Sequence, residues 1–272
     1  LMKKKRLIPV ILIKNGWVVQ STSFKIYKNI GHPIPTIKRL SDFGSDEIII
    51  LDISKDDFYE NRRSDMNYDF KENLINILKE VSKVSFMPVS TGGKIRSLND
   101  ALIRIENGAE KVVINTLAIE NKNEVNKIAK TLGSQALIAS IDYIKIDENN
   151  YRVVKNGDKV LDIDPIKHAT EVIDSGVGEI FINSVDRDGK KNGYDIDFLS
   201  LFSNSFKIPI IACGGAGSWE DMYSLYSNTK CDGIAASNIF HHVEHSVYLA
   251  KEYLSNKTKE FRNPKFFTNE FK

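Results

Sequence analysis

Apolar residues in this chain fall in short runs that alternate with longer stretches of helical periodicity. The runs are RLIPVILI (6–13), EIIILDI (47–53), VSFMPVS (84–90), KVVIN (111–115), ALIASID (136–142), EIFINSV (179–185), IPIIAC (208–213) and DGIAAS (232–237). Between them lie amphipathic patterns such as 69–83, 121–132, 165–176 and 218–228. Strands that are apolar on both faces and alternate with helices predict a parallel sheet covered by helices. Eight such units in one chain of 272 residues favour a closed (β/α)8 barrel over an open sheet, with 1–258 as one barrel domain. Residues 143–160 break the rhythm: they alternate apolar and polar around ENN and NGD, which predicts a β-hairpin inserted after strand five. Residues 259–272 form a C-terminal tail, of which RNPKFFTNEFK (262–272) reads as a poorly ordered end.

An internal echo refines this picture. EIIILDIS is followed by STGGKIRSLNDA, and EIFINSVDRDG by ACGGAGSWEDM, so each half has an acidic strand start and a Gly-Gly turn before a helix. That points to two related half-barrels.

Composition narrows the function. Hydrophobic residues make up 42% and charged residues 27%, enough for a core and a solvated surface. The formal charge of +2 gives no general attraction to nucleic acid or anionic membranes. The apolar runs are far shorter than the roughly 20 residues of a membrane helix. MKKKR (2–6) has the charge of a leader, but Pro9, Lys14 and Asn15 break the run that follows. Cys213 and Cys231 are too few for a disulfide framework or a zinc site, and a reduced cytoplasmic setting is the simplest expectation.

Candidate chemistry clusters at the strand ends. The turns at Gly92-Gly93 and Gly214-Gly215 each open a helix, where backbone N–H groups suit an oxyanion; AASN (235–238) adds small residues beside the second. Glycines also simply make tight turns, but two turns in equivalent places suggest a ligand with two anionic ends. The long loop 184–195 is either a solvated connection or a ligand loop carrying Asp188 and Gly189. Asp52 and Asp142 end strands two and five, where a carboxylate can act as acid or base; for Asp52 a cap or loop partner is the first reading. At the other face, strands one, two, four and six begin with Arg6, Glu47, Lys111 and Glu179, alternating in sign. Pointing inward they would form a salt-bridged floor; pointing outward they would be four surface charges.

RLIPV, DEIIILDI, GAEKVVINT, GSQALIASID, GEIFINSVDRDGKKNGYD, IPIIACGGAG and AASNIFHH together resemble the cyclase-subunit family of imidazole glycerol phosphate synthase, the HisF-like barrels, over nearly the whole chain. The resemblance implies a lyase-family subunit without metal or cofactor. It also implies a glutamine amidotransferase docked on the floor as a heterodimer, and ammonia passing through a floor gate of Arg6, Glu47, Lys111 and Glu179. It assigns phosphate binding to Gly92, Gly93, Asn115 and Thr116 at one end, and to Asp188, Gly189, Gly214, Gly215, Ala236 and Ser237 at the other. One catalytic Asp corresponds to Asp142.

Three positions depart from the family pattern. Leu12 stands where a second catalytic Asp is expected, Gln20 where a loop Lys is expected, and Lys94 at the third place of a triple glycine. A Leu cannot move a proton, so the usual ring-forming chemistry is in doubt. The strand-one ending and the stretch 24–38 are similar to HisF-like proteins of surface-glycan (O-antigen) clusters, associated with turning acetamido into acetamidino sugars. In that branch a separate sugar-modifying amidotransferase is a further partner. Three functions stay open: ammonia supply for acetamidino sugars with Asp142 as the surviving acid/base, a true histidine-pathway cyclase, or a silent activator of a glutaminase in which Lys94 adds charge to the first anion site.

Overall fold

The computed structural model describes residues 4–60, 70–148, 150–242 and 245–266. The first half runs β1 (Arg6–Lys14), β2 (Trp17–Thr22), β3 (Ile26–Gly31), α1 (Pro33–Asp42), β4 (Ile48–Asp52) and α2 (Leu74–Val84). It continues with β5 (Val89–Gly92), α3 (Leu98–Glu106), β6 (Lys111–Ile114), α4 (Thr116–Glu120) and α5 (Lys122–Leu132). The second half contains β7 (Leu137–Asp147), β8 (Asn150–Lys155), β9 (Lys159–Val160), α6 (Pro165–Asp174), β10 (Glu179–Ser184) and α7 (Ile196–Ser205). It ends with β11 (Ile210–Cys213), α8 (Trp219–Asn228), β12 (Gly233–Ala236), a 3-10 turn (Asn238–His241) and α9 (Ser246–Lys257).

β1, β4, β5, β6, β7, β10, β11 and β12 pair in parallel in that order, and β12 returns to β1 with Arg6 opposite Gly233. The sheet is thus a closed (β/α)8 barrel, as expected. The period-2 pattern explains its two cores. Leu7, Ile11 and Ile13 of β1 face the helices, whereas Ile8, Val10 and Leu12 join Ile49, Leu51, Val113, Ile138, Phe181, Ile211, Cys213 and Ala235 in the lumen. A Cβ at Gly233 would meet Ile8 and Ile211 carbons at 2.9 Å, so this glycine makes room for the lumen's own side chains.

Two details differ from the sequence reading. The third strand is Val89–Gly92, not 84–90. Its inward residues are Ser90 and Gly92, which carry no apolar signal, while Phe86 is an exposed loop residue fixed by its N–H donating to Ser41 Oγ at 2.9 Å. The β2–β3 hairpin was not expected. Asn15-Gly16, with φ values of 51° and 80°, makes the two-residue turn this dipeptide favours and returns β1 as β2, and a second turn at Ser23-Phe24 leads into β3. The hairpin expected at 143–160 is present: β7 continues past the barrel and pairs antiparallel with β8, which pairs with β9.

The segment after α9 is not loose over its described part. Phe261 is 2% exposed within the outer core, and the Lys5 N–H donates to the Glu260 carbonyl at 3.0 Å. Arg262 and Lys251 both reach Asp46 Oδ1, at 2.7 and 2.8 Å, and the Leu7 N–H donates to Asp46 Oδ2 at 2.9 Å. Asp46 therefore ties the start of β1, α9 and the C-terminal segment together. The Lys251 side chain is only 4% exposed, so Asp46→Ala strands a buried ammonium. The expected loss is about 3–5 kcal/mol, read as a lower urea midpoint.

Candidate active site and channel

The floor is built by residues that start four barrel strands, which places their side chains at one level. Arg6 donates to Glu47 at 2.7 Å and also to Glu179. Lys111 donates to Glu179 at 2.7 Å and reaches the two Glu47 oxygens at 3.3 and 3.4 Å. The four charges close a ring, with Ser90 Oγ donating to Glu47 at 2.6 Å. Burial would lower the Arg6 guanidinium and raise the Glu179 carboxyl; the ring partners outweigh it and hold each on the charged side of its ordinary value. The long Lys111–Glu47 contact is the weakest joint in the ring.

Above the ring the lumen is walled by Ile8, Val10, Ile49, Val113, Ile138, Phe181, Ile211 and Ala235. Alternation along β7 adds Ser140 between Ile138 and Asp142 as a hydroxyl step. Such a wall disfavours a charged passenger strongly and a small neutral one little.

At the mouth, Asp142 is 9% exposed. It accepts from Asn115 Nδ2 at 2.8 Å and from Asn183 Nδ2 at 3.4 Å. Burial pushes its carboxyl up to about 7, against the pull of those two amides. A carboxyl titrating there can hold or release a proton near neutral pH. Across the lumen, the inward ends of β1 and β4 are Leu12 and Leu51, in register with each other, and β11 ends in Cys213. Among the described residues, Asp142 is thus the carboxylate at an inward strand end, with Leu12 and Leu51 on the opposite wall.

The Gly-Gly turns flank Asp142. Gly93 has φ +98° and its Cβ would lie 2.1 Å from the Asp52 carbonyl oxygen; Gly215 has φ +100° and would meet the Gly193 oxygen at 2.1 Å. Only glycine fits either place. On the second side, Ser237 precedes the 3-10 turn and its buried hydroxyl has no protein partner, next to Ala236 at the end of β12. Asp188 does not face this site with a free charge: it accepts from Ser21 Oγ at 2.6 Å and from the Phe24 N–H at 3.3 Å, and Gly189 lies against the Ser21 carbonyl oxygen. On the first side, Asn115 is engaged by Asp142 and Thr116 Oγ1 donates to Asn156 at 3.1 Å.

Asp52 satisfies its own loop, as first read. It accepts from Ser54 N–H and Oγ at 2.9 and 2.6 Å and from Tyr59 at 2.9 Å, and it pairs with Lys94 at 3.0 Å. Lys94, in a left-handed conformation at φ +57°, also donates to the Asp56 carbonyl. Its ammonium is therefore engaged by Asp52 beside the first anion turn.

Several mouth residues escaped the sequence reading. The β2–β3 hairpin reaches across the mouth: it holds Asp188, exchanges hydrogen bonds with Asn238 through Ser21, and sets Phe24 against Gly157 of the inserted hairpin. It carries Tyr27, whose hydroxyl donates to the Phe24 carbonyl at 2.7 Å and whose ring lies 3.9 Å from the Lys14 ammonium. Burial, then Asp188 and Asp142, raise the Tyr27 hydroxyl. Asn183 was missed because an Asn inside a strand has no distinguishing pattern. Among the described residues, no cluster of His, Cys, Asp and Glu could hold a metal ion, and no helix is long and apolar enough to cross a membrane.

Comparison with known proteins adds the family. Residues 6–246 match the family model described as "Histidine biosynthesis protein". The chain is 36% identical over 261 residues to the imidazole glycerol phosphate synthase subunit HisF of Sulfolobus acidocaldarius, covering 96% of this chain and 100% of that protein. It is 33% identical over 263 residues to the corresponding subunit of Lachnoclostridium phytofermentans, at 96% and 98% coverage. The chain belongs to the histidine biosynthesis protein family, as a HisF-like (β/α)8 barrel.

Proposed function

We propose that this barrel receives ammonia from a glutamine amidotransferase docked on its floor and delivers it, through the lumen, for acetamidino-sugar formation in surface polysaccharides. The observation that carries this reading is the combination of a complete floor ring with a mouth where, among the described residues, Asp142 is the one carboxylate at an inward strand end and Leu12 stands on the opposite wall. The Lys111–Glu47 joint is where the floor opens most cheaply, because its contacts are the longest in the ring. Neutral ammonia then crosses an apolar wall that retains it better than it would ammonium. At the mouth, Gly92, Gly93, Asn115 and Thr116 bind one anionic end of a phosphorylated ligand. Gly189, Gly214, Gly215, Ala236 and Ser237 hold the other, with Asp188 fixing that loop through Ser21 and Phe24 rather than touching the anion, and Asp142 serves as the proton-handling group. A sugar-modifying amidotransferase is the acceptor partner, and the complex works in the cytoplasm without metal or cofactor.

A second reading has its own support: relatives spanning essentially the same length are named subunits of imidazole glycerol phosphate synthase. Leu12 argues against it, because the ring-forming step would have to proceed with one carboxylate. The third reading, a ligand-sensing activator of the glutaminase, makes Asp142 dispensable.

Complementation separates the first two. Co-expressed with a glutaminase partner, the chain is expected not to rescue a histidine-requiring cell that lacks its own cyclase subunit. Clean rescue would sink the acetamidino reading, because Leu12 would then permit cyclisation.

A further inference from the structure

Asn183 is 8% exposed, yet its Oδ1 has no hydrogen-bond donor. It stands on β10 directly beside Asp142 of β7 and Cys213 of β11, two residues above the fully buried Phe181 of the lumen wall. Its amide nitrogen is directed to Asp142 Oδ1 at 3.4 Å, while Asn115 serves Oδ2. With its Nδ2 turned to Asp142, the carbonyl end of the Asn183 amide is left as a buried acceptor where the lumen opens. Buried acceptors without donors are uncommon in folded proteins and call for an explanation, and this one lies at the lumen exit beside Asp142.

We propose that Asn183 Oδ1 is the docking acceptor for ammonia as it leaves the lumen, making Asn183 a positioning residue for nitrogen delivery. This rests on the channelling reading above. Ammonia has three N–H donors and one lone pair. One N–H on Asn183 Oδ1 and a second on the neighbouring Asp142 carboxylate leave the lone pair aimed away from both oxygens, toward the open mouth. The apolar surfaces of Leu12 and Leu51 opposite, and of Cys213 alongside, present no strong acceptor. Asn183 thus orients the nitrogen while Asp142 handles its protons.

The test uses the barrel–glutaminase complex with the sugar-modifying amidotransferase and an acetamido sugar. The readout is nitrogen captured in product per glutamine hydrolysed. Asn183→Leu, close in size but without an acceptor, is expected to lower this ratio about five- to tenfold, the value of one hydrogen bond, with glutamine hydrolysis unchanged. Asn183→Ser, which keeps an oxygen acceptor, is expected to recover most of the loss, and matched melting curves confirm that both variants fold. An unchanged ratio in Asn183→Leu overturns the proposal while leaving channelling intact. A loss in both variants that follows only a shifted pH profile also overturns it, because Asn183 would then act solely by tuning Asp142. A wild-type ratio near zero removes the channelling reading and this proposal with it.

Discussion

Lys111→Glu is expected to cut glutamine-dependent nitrogen transfer about 100-fold or more, and to destabilise the barrel by about 3–5 kcal/mol. Glu47 and Glu179 are buried to within a few per cent and, among the described residues, share Arg6 and Lys111 as their cations. Reversal removes one cation and adds a third carboxylate to the same ring, so the floor can neither close nor keep its docking geometry. The pH dependence has a definite sign. Glu179 is held below its ordinary value despite burial, because Arg6 and Lys111 favour its charged form. Its contribution is therefore present at neutral pH and lost as pH falls through the carboxylate range. In Lys111→Glu the carboxylates repel instead, so the stability gap from wild type is widest at neutral pH and narrows on acidification toward about pH 4. Urea titrations at several pH values check the stability arm. Nitrogen transfer per glutamine checks the functional one.

Asp142→Asn has the opposite signature, losing activity while gaining stability. Removing a positioned acid/base costs about 10²–10⁴-fold in rate, measured as product formation at saturating glutamine. The folded state keeps a proton on Asp142 up to about pH 7, whereas the unfolded chain releases it in the ordinary aspartate range. Stability of the wild type therefore falls as pH rises between those two values, and the full penalty of about 4 kcal/mol stands above pH 7. An Asn has no such titration. The variant is expected to be the more stable protein at pH 8, by somewhat less than that penalty because one neighbouring amide then faces a donor, and to show no advantage at pH 4. Full activity in Asp142→Asn would transfer the chain to the activator reading.

What could be read ahead of the structure follows from where the physics is local. Strands such as EIIILD and EIFINS are buried on both faces, so an unbroken apolar run marks them. β5 was displaced because its inward residues, Ser90 and Gly92, give up apolar character to fit a narrow lumen and an anion turn. The floor ring was legible because strand starts place Arg6, Glu47, Lys111 and Glu179 at one height with alternating sign. Whether they pointed inward was not, since a one-residue change of register inverts every side chain. Asp142 was legible by position. Its raised proton affinity comes from burial, which only the closed barrel creates, working against the amides of Asn115 after β6 and Asn183 on β10. Lys94 could not be placed: Asp52 meets it only because Leu51 and Gly92 are in register across β4 and β5. Leu12 gains meaning only from the family pattern around it, and in the structure it faces Asp142 across the lumen mouth.

The central claim is that nitrogen passes from floor to mouth without mixing with solvent. It is tested most directly by giving the complex amide-15N glutamine in a large excess of unlabelled ammonium chloride. The account predicts product enriched in 15N far above the bulk ammonium pool, with the enrichment lost in Lys111→Glu. Product carrying the same 15N fraction as the bulk pool in the wild type would contradict it.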